Sequence, residues 1–159
     1  MAEQNPGGYP GSNKSEVKMT DPSWQLQKAI KAALVADATI ITLMGASPAV
    51  FDHVPDAEPM PYIQLDEPGT SAWDVTPTEA DDGYGKEHTA MIHVWSSYEG
   101  KKEINAIMRA IELELRDFSP TLANHKVVNF RFQFADRLRD QDGQAYHGVI
   151  QFRAITEEI

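Results

Sequence analysis

The stretch Glu99–Phe118, EGKKEINAIMRAIELELRDF, decides the fold. Ile104, Ile107, Met108, Ile111, Leu115 and Phe118 recur at i, i+3, i+4, i+7, i+11 and i+14, which puts six apolar side chains on one face of a helix. Lys101, Lys102, Asn105, Arg109, Glu112 and Arg116 fall elsewhere. Ser96 stands three residues before Glu99 as in a capping box, Glu112 precedes Arg116 by one turn in the order that favours a surface pair, and Pro120 ends the helix. Burying the six side chains gives a gross stabilisation of about 10 kcal/mol. A wide apolar surface must therefore cover that face, and the flanking segments have to supply it.

Upstream, Asp21-Pro22-Ser23 opens a helix whose buried stripe is Leu26, Ile30, Ala33 and Leu34, with Trp24 anchoring its start. Asp37 caps a second short helix, Ala38–Met44, closed by Gly45. Val50–Val54 reads as a short strand. Pro61–Glu67 reads as the next, with Tyr62 and Gln64 on one side and Ile63 and Leu65 on the other. Glu87–Ser96 is apolar on both faces, which marks a central strand. After the long helix, Val127–Phe134 alternates Val128, Phe130, Phe132 and Phe134 with polar residues, and Ala145–Ile155 alternates Tyr146, Ile150, Phe152 and Ala154 with His147, Gln151 and Arg153. Asp142-Gly143 is the hairpin tip between them. The fold class is α+β: a mixed, mostly antiparallel sheet of about five strands, with one long helix across a face and the N-terminal helices beside it.

Two segments stand apart. Residues 1–20 are rich in Pro, Gly, Ser and Asn and offer almost nothing apolar, so they read as a flexible arm ahead of a single domain at 21–159. Pro68–Lys86 reads as a long acidic loop carrying Asp74, Glu79, Asp81 and Asp82 with Trp73 and Val75 inside it, and loops of that length are functional or disordered.

Composition limits the chemistry. With 159 residues, 42% of them hydrophobic, the chain can bury a substantial core, and the absence of cysteine excludes disulfides, thiolate metal sites and a cysteine nucleophile. The longest nearly apolar run, Ala32–Met44, is broken by Asp37 and is too short to span a bilayer. A net charge of −10 argues against an extended surface that grips phosphates, while leaving room for a wall that repels DNA passing beside it. His88 and His93 lie five apart on one strand, so they point to opposite faces and cannot share a metal. His147, next to Gly148, reads as an edge or interface residue rather than a base. There is no Gly-x-Ser-x-Gly elbow and no Gly-rich phosphate loop, and Asp81-Asp82 reads as a solvated tip. No catalytic residue, metal ligand or cofactor is assigned.

The runs Asp21-Pro22-Ser23-Trp24-Gln25-Leu26-Gln27, Val50-Phe51-Asp52-His53-Val54-Pro55, Pro61-Tyr62-Ile63, His88-Thr89 and His93-Val94-Trp95-Ser96 occur in this order. Tyr146-His147-Gly148 and Phe152-Arg153-Ala154 follow near the C-terminus. In this order and spacing, over residues 21–156, the chain resembles the tail terminator, or tail completion, family of long-tailed bacteriophages and gene transfer agents. The N-terminal arm and Pro77–Gly85 depart from that pattern. The resemblance implies a structural virion protein with no enzymatic activity, assembled in the bacterial host cytoplasm. It implies a hexameric ring on the head-proximal end of the tail tube that ends tube polymerisation. The implied partners are other copies of itself, the major tail tube protein and a neck or head-completion adaptor, with DNA passing through the lumen unbound and no membrane involved. A ring contact is heterologous and needs two complementary patches. The candidates are Trp73, Asp74, Val75, Glu79, Asp81 and Asp82 on one side and Arg137, Arg139 and Asp140 on the other. The competing readings are another neck adaptor or tube component, and a small soluble enzyme.

Overall fold

A computed structural model of the chain describes residues 21–45, 47–73 and 85–159. The arm expected at residues 1–20 lies outside them. The elements run α1 (Pro22–Ala36), α2 (Ala38–Met44), β1 (Val50–Phe51), β2 (Tyr62–Leu65), β3 (Gly69–Ala72), β4 (Lys86–Ser96), α3 (Lys102–Glu114), β5 (His125–Arg139) and β6 (Tyr146–Glu158). Among the described residues no helix is long and apolar enough to cross a membrane.

The helix starts are set by side chains that accept otherwise orphaned backbone protons. Asp21 accepts from the N–H groups of Ser23 and Trp24 at 3.4 and 3.2 Å, with Pro22 in the first turn, and Asp37 accepts from the Ile40 N–H at 2.8 Å. Lys28 lies over the Trp24 ring, 5.8 Å from its centroid. Gly45 closes α2 at φ 89°.

α3 is shorter than its periodicity suggests. Gly100, at φ 110°, delays the start to Lys102, so Ser96 and Glu99 form no capping box; the Ser96 hydroxyl donates to Glu103 at 2.7 Å instead. The helix ends at Glu114, and Leu115 and Phe118 continue the apolar stripe from the turn beyond it, Leu115 buried and Phe118 partly so. The surface pair expected between Glu112 and Arg116 forms between Arg109 and Glu112, at 2.8 Å. α3 has 13 residues and α1 has 15, and both contribute to the helical layer.

Six strands form one mixed sheet in the order β1-β2-β4-β6-β5, with β3 also pairing β4. β1 and β2 are parallel and every other pair is antiparallel. β6 takes one side of β4 along its whole length. β2 and β3 divide the other side between Ile92–Trp95 and Lys86–Thr89. The strand expected at Val50–Val54 shrinks to two residues, and β3 lies within what reads from sequence as a continuous loop.

The helices cover one side of the sheet. Ala90, Ile92 and Val94 of β4 and Ile150, Phe152 and Ala154 of β6 share the core with Leu26, Ile30, Leu34, Ile104, Ile107, Met108 and Ile111. Gly148 marks the closest approach of α3 to the sheet, where an added Cβ would overlap Met108 Sδ and crowd Ile104 Cδ1. His88, fully buried, ties three strands together by hydrogen bonds to the hydroxyls of Thr70 at 3.1 Å and Thr156 at 2.9 Å.

β5 is not the cleanly alternating strand its sequence suggests. Its ladder with β6 shifts register between Val127 and Asn129 and again between Phe132 and Phe134. Each shift leaves an extra residue, Val128 and Gln133, outside the pairing. Phe130 packs in the core, stacked 5.0 Å from Phe152, whereas the second shift turns Phe134 onto the other face and leaves Phe132 and Phe134 43% and 45% exposed.

Candidate functional site

The side of the sheet away from the helices presents half-buried aromatic and polar groups. Its registers align Tyr62, Trp95, His147 and Leu138 in one row across four strands, and Gln64, His93, Val149 and Asp136 in the next. Trp95 stacks on His147, with centroids 4.1 Å apart and planes within 7°, and Tyr62 tilts against Trp95 at 6.3 Å. His93 lies between His147 and Asp66, with Nδ1 2.8 Å from His147 Nε2 and Nε2 2.9 Å from Asp66 Oδ2. With a proton on Nε2 of each ring, His93 donates to Asp66 Oδ2 and His147 donates to His93 Nδ1, so one tautomer satisfies both contacts. Burial holds the His147 pKa below the usual histidine value; the neighbouring His93 pushes the same way, and Asp140 and Asp66 oppose it. Two further polar atoms on this side, Trp95 Nε1 and Asn129 Oδ1, are buried without a partner among the described residues. Glu87, in the same row as Asn129, pairs with Arg153, which lowers the Glu87 pKa.

Aspartate and two histidines in line are components of acid–base chemistry. Among the described residues no three His, Asp or Glu side chains converge as metal ligands. An open groove of about 530 Å³ lies on the other side of the sheet, between the turn after α3 and β5, lined by Arg116, Phe118, Asn129, Phe130 and Phe132 among others. It contains none of the three relay residues.

Of the residues expected at an interface, Asp74, Val75, Glu79, Asp81 and Asp82 lie outside the described residues. Trp73 is half-buried just after β3, its N–H donating to the Gly85 carbonyl at 3.0 Å. Arg137, Arg139 and Asp140 are exposed at the far end of β5, on the opposite edge of the sheet from β3. One subunit therefore separates Trp73 from Arg137, Arg139 and Asp140. Arg139 is engaged locally: its Nε and Nη2 donate to the Gly143 carbonyl at 3.2 and 3.0 Å and its guanidinium lies over Tyr146, which fixes the hairpin turn. The Arg137 side chain makes no hydrogen bond among the described residues. His147 is an inner-strand residue, since β6 lies between β4 and β5.

Sequence reasoning missed the Asp66–His93–His147 chain because its members are 27 and 54 residues apart and meet only through strand pairing. Once β4 and β6 are paired, the parity of His93, Trp95 and His147 reveals it.

These features define a small two-layer α+β protein with helices on one side of the sheet, an aromatic open side, and a long strand at one edge. The family model for tail completion protein gp17 matches residues 28–157, and the chain belongs to that family, whose members are structural proteins of the virion tail. A chain of the virion of a native gene transfer agent particle superposes with a TM-score of 0.73 at 25% identity, covering 84% of this chain and 96% of that one. The bacteriophage SPP1 gp17 protein shares the fold, with a TM-score of 0.53 at 22% identity over 83% of this chain and 88% of that one. No curated protein matches the sequence.

Proposed function

We propose that the chain assembles as a hexameric ring on the head-proximal end of the tail tube, ends its polymerisation and joins the tail to the neck, with DNA passing through the lumen. It acts without enzymatic activity, through fit between surfaces, and its partners are its own copies, the major tail tube protein and a neck or head-completion adaptor. The observation that carries this reading is the family match over residues 28–157, and the likeness to a gene transfer agent virion chain supports it. The net charge of −10 suits a channel wall that must not hold DNA.

The subunit boundary takes in Arg137, Arg139 and Asp140 on one side and Trp73, Asp74, Val75, Glu79, Asp81 and Asp82 on the other. The positions of Trp73 and Arg137 on opposite edges of the sheet support this, because a heterologous contact needs distinct patches on one subunit.

Imaging of particles that carry a labelled copy tests the location. Label at the tail–neck junction, with overlong tubes when the gene is deleted, is the expected result. Label along the tube would make the chain a tube component, and label on the neck alone an adaptor.

A further inference from the structure

We infer that, within the subunit boundary proposed above, the β5 edge of one copy docks on the acidic ledge Asp52–Pro61 of the next, so that this ledge joins Trp73–Asp82 on the receiving side of the contact. The inference rests on the ring reading above and names the surfaces that build it.

The β5 edge is the larger unpartnered feature. β5 ends the strand order, so among the described residues the outer edge of this 15-residue strand has no ladder partner beyond an isolated bridge from Leu122 to His125. Val128, Phe132, Phe134 and Leu138, all exposed, are half of the exposed large apolar residues among those described. Its charge is opposite to that of the molecule. Lys126, Arg131, Arg137 and Arg139 outweigh Asp136 for a net of +3, on a chain whose total is −10. The turn beyond it carries Asp140 and Asp142, so the basic character belongs to the strand itself.

The complement stands at the other end of the same rows. Pairing runs from Arg137 to Gly148, Val94, Ile63 and Val50, so β1 lies across the sheet from Arg137, four strand spacings or about 19 Å away. The loop that leaves β1 carries Asp52, Asp56 and Glu58 and neither Lys nor Arg. Lys31 lies 3.5 Å from Asp52, whereas Asp56, which is exposed, and Glu58, which is half-buried, have no ion-pair partner among the described residues.

The occupant of the β5 edge is a second copy for three reasons. A basic strip on a strongly acidic chain finds its complementary charge on another molecule of the same chain. Pairing two β5 edges about a two-fold axis would set like charges against each other, so the contact is between unlike edges. Unlike edges on opposite ends of one sheet let every copy make both contacts at once, as a closed ring requires.

The test is a charge exchange on the full chain, read by sedimentation. R131E/R137E and D56K/E58K alter side chains that make no hydrogen bond among the described residues, and circular dichroism confirms the fold of each. Each variant alone should associate about tenfold or more weakly than the native chain. Mixed in equal amounts, the two should assemble, because in an alternating ring Glu faces Lys at one contact and Arg faces the native acids at the next. Association of the native chain should also fall with rising salt. Native-like assembly of either variant alone, or failure of the mixture to assemble, overturns the edge assignment while leaving the ring intact. A native chain that stays monomeric, even beside tail tubes, overturns the ring reading itself.

Discussion

β4 and β6 carry apolar or aromatic side chains on both sides, yet the two sides end differently. Toward the helices, Ala90, Ile92, Val94, Ile150, Phe152 and Ala154 are at most 3% exposed. On the other side Met91, His93, Trp95, His147 and Val149 are only half-buried, with no helix of the described residues on that side. A side chain facing the helices stabilises the fold. One facing the other way is available to a neighbour.

Substitutions that separate the two sides test this contrast. The largest effect is expected for Phe152→Ala, which empties the space between α3 and Phe130 and should cost about 3–5 kcal/mol in urea unfolding. Gly148→Val forces a branched side chain against Met108 and Ile104 and should cost about 1–3 kcal/mol in the same assay.

A third prediction concerns pH. Burial holds the His88 pKa below its unfolded value of about 6.5, with Lys86 and His125 reinforcing the shift and Asp21 opposing it. The unfolded chain then binds the proton more readily. Stability is therefore full above about pH 6.5, falls as the pH drops through that value, and levels off below the folded pKa. His147 is shifted in the same direction and adds to the slope. Thermal melts across this range should show the decline, and His88→Gln should flatten it in part. The smallest effect on folding is expected for Leu138→Ser on the open side, within about 0.5 kcal/mol. The same change should lower association measured by light scattering, and a large loss of fold stability instead would erase the distinction between the sides.

Much of the fold is legible in the sequence because it is written in local chemistry. Asp21-Pro22 and Asp37 announce two helix starts, and the alternation in β2, β4 and β6 assigns their faces correctly. Three features are not legible. β3, Gly69–Ala72, is exposed at every position and exists only because it pairs with the end of β4, so no periodicity marks it. The two register shifts in β5 leave the even-numbered apolar pattern intact in sequence while turning Phe134 to the opposite face, and only the ladder with β6 discloses them. The end of α3 at Glu114 is hidden because Leu115 stays buried without remaining helical. Of the candidate interface, Arg137 and Arg139 stand out from sequence as cations in a hairpin. The edge that carries them and the acidic ledge opposite become visible only with the strand order.

The central claim is that this chain works by fitting against copies of itself. Native mass spectrometry of the purified full chain, alone and with assembled tail tubes, tests it most directly. The account predicts a discrete species of six times the chain mass, free or bound to tube ends. A chain that remains a single copy under both conditions would contradict it.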